Sequence, residues 1–287
     1  MLCLNPLRYL LGLYRLIMNR ITDTFAAIRS RKKVGLFPFL TVGFPDLEAT
    51  LELVPALVEA GADGFELGVP FSDPLADGAI IQNSSFKALQ QGVTLQSCLD
   101  VVKVLRAKVP KTPLVLMGYY NPIFRYGIKK FAASAEEVGL DGVIVADLPP
   151  DESGPLLGEC ITKGISLIYL LAPTSTEERI GKACNTASGF IYCVSLTGVT
   201  GAREELPVSA RQLLRRVRAH TELPLALGFG ISRRKHIESI AAYADAAIVG
   251  SALMRILMDS PRHLIVSKAA ELVRELSCGT PMTQGDI

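Results

Sequence analysis

Eight short β-rich runs, each followed by a helix-patterned stretch, constrain this 287-residue chain more than any other feature. The runs are 35–42, 64–69, 113–119, 142–147, 166–171, 189–194, 224–228 and 245–249. Helix patterns lie near 47–60, 94–108, 127–139, 151–163, 176–186, 208–219 and 232–243, with more helix at 251–257 and 261–276. Asp46, Thr94, Ser175 or Thr176, and Ser232 stand where helix N-caps belong. The strand runs are continuously apolar rather than alternating, as in parallel sheets buried on both faces. Eight βα units in about 250 residues is the arithmetic of an α/β chain closed as a (β/α)8 TIM barrel, in a single domain. A doubly wound open sheet is the rival, but it rarely needs eight regular units.

A composition of 49% hydrophobic and 20% charged residues fits a globular enzyme and excludes a disordered or coiled-coil chain. The net charge of +2 and pI near 8.2 give no signal for nucleic acid or an anionic membrane. Cys3, Cys98, Cys160, Cys184, Cys193 and Cys278 form no CxxC pair and have no histidine ladder nearby. They read as free thiols in a reducing compartment, with no metal site expected. His220, His236 and His263 fall in polar stretches, where a surface role is expected and no catalytic one. Residues 1–17 carry two arginines and no acid; Pro6, Arg8 and Arg15 interrupt them too often for a membrane span. A start assigned too early, an organellar leader and an added helix are the three readings. The first is favoured, because a complete amphipathic pattern begins at Met18. The expected division is an extra segment 1–17, a barrel 18–276 and a tail 277–287.

Chemistry concentrates in residues 64–78, GFELGVPFSDPLADG. Glu66 interrupts an apolar strand, where an ionised carboxylate is costly unless paired or used. On that strand Gly64, Glu66 and Gly68 share one face, and the glycines are expected to clear space around the acid. The following loop adds Asp73 and Asp77. An acid on a strand with a second on the next loop suggests acid/base work at a strand's C-terminal end, where barrel active sites gather. Burial should raise the pKa of Glu66, while a loop Asp77 near water should stay ionised. Phe37, Phe39 and Thr41 share one face of the first strand. Phe39, Met117 and Tyr119 are placed to line an apolar pocket around the acids, with Asp147 and Tyr192 on further strands. SLTGVTGA (195–202), GFGIS (228–232) and VGSAL (249–253) put glycine clusters after three successive strands, the last at a helix start. Phosphate wants close backbone N–H groups and a helix N-terminus, and the last loops of such barrels recurrently supply them.

PFLTVGFPD (38–46), ELGVPFSDPLADG (66–78), LMGYYNP (116–122), VADLP (145–149) and the three glycine clusters together resemble the tryptophan synthase α-subunit family, from about residue 18 to about 275. The resemblance implies a lyase that cleaves indole-3-glycerol phosphate to indole and glyceraldehyde 3-phosphate in tryptophan biosynthesis. It implies Glu66 as general acid/base and Asp77 as the carboxylate facing the indole N–H. Phe39, Met117 and Tyr119 would contact the indole, and Tyr192 would position Glu66. Thr200 would close against Asp77, and Gly201, Gly230, Gly250 and Ser251 would bind phosphate. Leu196 departs from members with arginine there, and Asp73 is expected to be structural, bonding the loop backbone. The implied partner is a β subunit in an α2β2 tetramer. That subunit would hold pyridoxal phosphate, this chain having no cofactor and no lysine in the site motifs. A cytoplasmic location is expected, or a plastid if residues 1–17 belong to a leader. The alternatives are a stand-alone lyase of the same fold and a non-catalytic regulatory partner. Other phosphate-binding barrels lack the pair of acids after the second strand.

Overall fold

Asn19 opens the first helix by accepting the N–H of Thr22 on its side chain, and α1 (Arg20–Arg31) follows. The computed structural model describes residues 19–195, 206–228 and 230–277. After α1 come β1 (Gly35–Thr41), α2 (Leu47–Glu59), β2 (Phe65–Gly68), α3 (Ala79–Gln90), α4 (Leu95–Lys108) and β3 (Leu114–Gly118). Next are α5 (Tyr120–Tyr126), α6 (Ile128–Val138), β4 (Gly142–Val145), α7 (Gly154–Lys163), β5 (Ser166–Ile168), β6 (Leu170–Leu171), α8 (Glu177–Thr186) and β7 (Ile191–Val194). The chain continues through α9 (Val208–Arg218), β8 (Leu225–Gly228), α10 (Arg234–Ile240), β9 (Ala246–Val249), α11 (Ser251–Asp259), a 3-10 turn (Arg262–Leu264) and α12 (Ile265–Ser277).

All pairings are parallel, in the order β5-β4-β3-β2-β1-β9-β8-β7-β6. The two ends of that order are consecutive in sequence. The expected strand 166–171 is split at Tyr169: its first part pairs with β4 and its second with β7, and the ring closes across this one residue. Tyr169 turns its hydroxyl to the buried Ser153, 2.6 Å away. The barrel expected from eight βα units is therefore the fold observed.

Two helices had no counterpart in the sequence pattern. In α3, Asn83-Ser84-Ser85 is a run of weak helix formers. Both serines are buried and used: Ser84 Oγ lies 2.7 Å from Thr41 Oγ1, and Ser85 Oγ accepts the N–H of Phe71 at 2.9 Å. Tertiary contacts override local propensity there. In α5, Pro122 sits in the first turn, where a missing N–H costs nothing. Asp147 caps this helix, accepting the Tyr120 N–H at 2.7 Å. His236 is also a correction: it is buried, and its Nδ1 accepts the N–H of Ser232. A backbone donor at the tight start of α10 draws the ring inward. Cys98, Cys160, Cys184 and Cys193 are buried free thiols.

Inside the barrel, the glycines flanking Glu66 serve a purpose other than the expected one. A methyl at Gly68 would lie 2.5 Å from the Phe39 ring, and one at Gly64 would strike the Phe37 ring. They make room for two phenylalanines of the neighbouring strand, and the acid is enclosed as a result. At the N-terminal end, α1 forms the floor. Ile21, Phe25 and Ile28 are buried, and Phe25 stacks on Phe37 with ring centroids 5.5 Å apart.

Charge fastens the same helix. Asp63, Asp141 and Asp245, each close to the start of a strand, accept the backbone N–H of Leu36, Leu114 and Leu225 respectively. Each also pairs with an arginine of α1: Arg31, Arg20 and Arg29 in turn. Among the described residues the floor is built from residue 20 onward. Removal of residues 1–17 is expected to leave melting temperature and activity unchanged. A calorimetric scan of the shortened chain checks this, and a fall of many degrees would show the segment to be part of the fold. Among the described residues no helix is long and apolar enough to cross a membrane.

Candidate active site

Glu66 faces inward from β2, in register with Phe39 on β1 and Val115 on β3. Its side chain is buried, and neither carboxyl oxygen has a hydrogen-bond partner among the described residues. Loss of solvation, then the nearby charge of Asp77, pushes its pKa up to about 8. An orphaned buried carboxyl of this kind is a cost to folding and marks a functional position.

Asp77 departs from the expectation of an ordinary solvated loop acid. It is half-buried, and burial raises its pKa to about 6, against the opposing hydrogen bond from the Tyr119 hydroxyl. At neutral pH Asp77 is therefore mostly ionised and Glu66 mostly protonated. Two carboxyls held on opposite sides of neutrality are what acid/base chemistry at pH 7 requires.

The loop that carries Asp77 is tied at several points. Tyr119 Oη accepts the N–H of Ala76 at 3.0 Å while its ring packs on Phe71, with centroids 5.0 Å apart. Gln82 donates to the Asp77 carbonyl at 2.9 Å. Asp73 receives the hydroxyl of its neighbour Ser72, a side chain rather than the loop backbone. Tyr119 thus holds the loop as well as lining the pocket, a role its sequence position did not suggest.

A cavity of about 800 Å³ opens at the C-terminal ends of the strands. Asp77, Met117, Leu170 and Tyr192 line its inner part, and a narrow recess between Phe39, Met117 and Tyr119 adjoins it. Leu170 was missed in the sequence because it follows the break within the fifth run. Tyr192 is buried on β7, and its hydroxyl stands over Gly228, where a methyl would lie 2.8 Å away. Burial, and then the charges of Glu66 and Asp77, push its pKa well up, so the phenol stays protonated.

Gly230 follows β8 with φ +78, a conformation that favours glycine, and a side chain added there would meet open space. Gly250 follows the neighbouring strand β9 and is the N-cap of α11, which begins at Ser251. Two of the three glycine clusters therefore flank one side of the barrel mouth. Thr200 and Gly201, with Leu196, lie outside the described residues. No group of three His, Cys, Asp or Glu side chains gathers as a metal site among the described residues.

Comparison with known proteins bears on this geometry. The profile of the family described as "Tryptophan synthase alpha chain" matches residues 25–280. The tryptophan synthase alpha chain of Chloroflexus aggregans is 51% identical over 263 residues, which cover 92% of this chain and 98% of that one. That of Roseiflexus castenholzii is 49% identical over 259 residues, 90% of this chain and 99% of its own. A solved structure of Mycobacterium tuberculosis tryptophan synthase superimposes with a TM-score of 0.84 at 35% identity, covering 92% of this chain and 99% of the other. The tryptophan synthase subunit alpha from Legionella pneumophila gives 0.83 at 34%, covering 90% and 97%.

Proposed function

The chain belongs to the tryptophan synthase alpha chain family, and on that premise we propose that Glu66 and Asp77 carry its lyase reaction, the retro-aldol cleavage of indole-3-glycerol phosphate to indole and glyceraldehyde 3-phosphate. Protonated Glu66 delivers its proton to indole C3, and ring aromaticity is lost. The positive charge that appears at the indole nitrogen is stabilised by ionised Asp77, which accepts the N–H. The bond from C3 to the glycerol side chain then breaks, and its electron pair restores the ring. As it breaks, the adjacent hydroxyl becomes the aldehyde carbonyl and returns its proton to Glu66, which ends as it began. The observation that carries this reading is the buried, unpartnered Glu66 carboxyl with its pKa above neutrality, beside an Asp77 with its pKa below.

Phe39, Met117 and Tyr119 would hold the indole ring, and Tyr192 would fix the orientation of Glu66. Gly201, Gly230, Gly250 and Ser251 would bind the phosphate, with Thr200 closing over Asp77 to exclude water. The product indole is small and apolar and escapes readily, which favours direct transfer to a β subunit carrying pyridoxal phosphate. The assembly would be an α2β2 tetramer in the cytoplasm. Leu75, on the loop beside Asp77, is 93% exposed, and Phe124 on α5 is 61% exposed. Large apolar side chains so displayed suit a docking face around residues 71–78 and Asn121-Pro122. Sedimentation and indole release, with and without the cognate β subunit, test the assignment. A complex at micromolar concentration and faster indole release on mixing are expected. Full activity of the isolated chain with no complex would establish the stand-alone lyase instead.

A further inference from the structure

The cavity beside Asp77 runs outward over the barrel mouth to the first turns of α8, where Glu178, Arg179 and Lys182 line it. The charges there are unevenly committed. Lys182 lies 2.7 Å from both Asp151 and Glu178. Glu177 is taken by Arg216 and His220. Arg179 gives its backbone N–H to Thr176 Oγ1, but its exposed guanidinium has no ion pair or hydrogen bond among the described residues. Glu177 has its own cation, but Asp151 and Glu178 share the single charge of Lys182, which leaves one carboxylate in excess there. Among the described residues the cavity is thus lined by three carboxylates, Asp77 on its inner wall and Asp151 and Glu178 at its mouth, against two cations, Lys182 and Arg179. Of these two cations, Arg179 is the one with no side-chain partner.

We propose that Arg179 sets the affinity of this site for a phosphorylated substrate, its charge offsetting the excess of carboxylates along the cavity so that a phosphate dianion is accepted there. The proposal rests on indole-3-glycerol phosphate being the substrate. A dianion entering a cleft that already holds a carboxylate is repelled, and low-dielectric walls concentrate that repulsion. A cation with no other partner among the described residues reduces it by its charge alone. Lys182 cannot substitute, because two carboxylates already neutralise it. Arg179 lies on α8 at the cavity mouth and Glu66 is buried on β2 outside that lining, so a charge effect of Arg179 is expected to be the same before and during bond cleavage. It acts on KM and leaves kcat alone. For one exposed charge, the effect is on the order of three- to tenfold at low salt and shrinks as salt screens it.

The test is steady-state cleavage of indole-3-glycerol phosphate by wild type, R179K, R179A and R179E, from low salt to about 0.5 M, where the screening length is a few ångströms. Indole-3-glycerol, which lacks the phosphate, serves as a second substrate. KM for the phosphorylated substrate should rise several-fold in R179A and further in R179E. R179K should stay near wild type, kcat should be constant, and the differences should fade at high salt and be absent for indole-3-glycerol. Equal KM values at low salt, a rise that persists at high salt, or the same rise with indole-3-glycerol would overturn the proposal. Failure of the wild type to cleave indole-3-glycerol phosphate would instead remove the functional reading beneath it.

Discussion

Glu66→Gln is expected to abolish indole release and, at the same time, to make the protein more stable. The loss follows from proton transfer: a positioned acid/base contributes about 10²–10⁴-fold, and glutamine keeps the shape without the proton. The gain follows from linkage. Glu66 titrates near 4.5 in an unfolded chain and near 8 in the native one. A pKa raised by folding gives stability that is fully present below the unfolded value and lost as pH rises to the folded value. At pH 7 the loss is about 3 kcal/mol, since each unit of difference is about 1.4 kcal/mol. Glutamine does not ionise and escapes it. The melting temperature of the variant should match wild type near pH 4.5 and exceed it by several degrees at pH 8. Calorimetry across that range with a parallel indole assay decides it. More than a few per cent residual activity removes Glu66 from its role, and a constant gap in melting temperature shows that its burial carries no charge penalty. In wild type, kcat/KM should fall below about pH 6 as Asp77 protonates and above about pH 8 as Glu66 ionises.

The second large effect lies at the opposite end of the barrel and touches stability alone. Asp141 is buried and accepts three donors: Arg20 at 2.8 Å, Arg106 at 2.6 Å and the Leu114 N–H at 2.8 Å. Asp141→Ala leaves the largely enclosed Arg106 without its counter-charge and a buried backbone N–H without an acceptor. Removing one partner of a buried ion pair costs about 3–5 kcal/mol, a large share of a typical domain's stability. Urea unfolding should show the midpoint falling accordingly, with kcat of the folded fraction unchanged. Asp63→Ala should cost much less, because its partner Arg31 is 49% exposed and screened by water. Equal losses at both positions would refute the argument from burial.

The barrel was legible because each buried strand is a continuous apolar run, a signal that needs no tertiary information. Tyr169 was not, since a break inside such a run depends on which neighbour each half pairs with. The helix α3 was hidden by the polar residues that anchor it to Thr41 and Phe71, and His236 by the polar residues around it. Among the site residues, Glu66 stood out as an acid in an apolar strand. The half-burial of Asp77 did not, because Tyr119, whose hydroxyl bonds it, comes from an element distant in sequence. The same holds for the glycines at 64 and 68, whose purpose lies in the rings of the adjacent strand.

Ribosomal synthesis gives the floor helix a peculiar history. It is made before every barrel strand, with its apolar face and its arginines exposed; Asp63 follows soon, but Asp141 comes only halfway through synthesis and Asp245 near the end of the barrel. The strand β1 likewise waits for β9 to cover its second edge. A nascent chain therefore carries the surfaces of this helix and of β1 incompletely covered until the last unit arrives, and early arrest leaves them so. Contacts this distant in sequence slow folding and lengthen the interval in which unpaired strands can stick to one another. The first helix of the barrel is among the last to be fully sheltered.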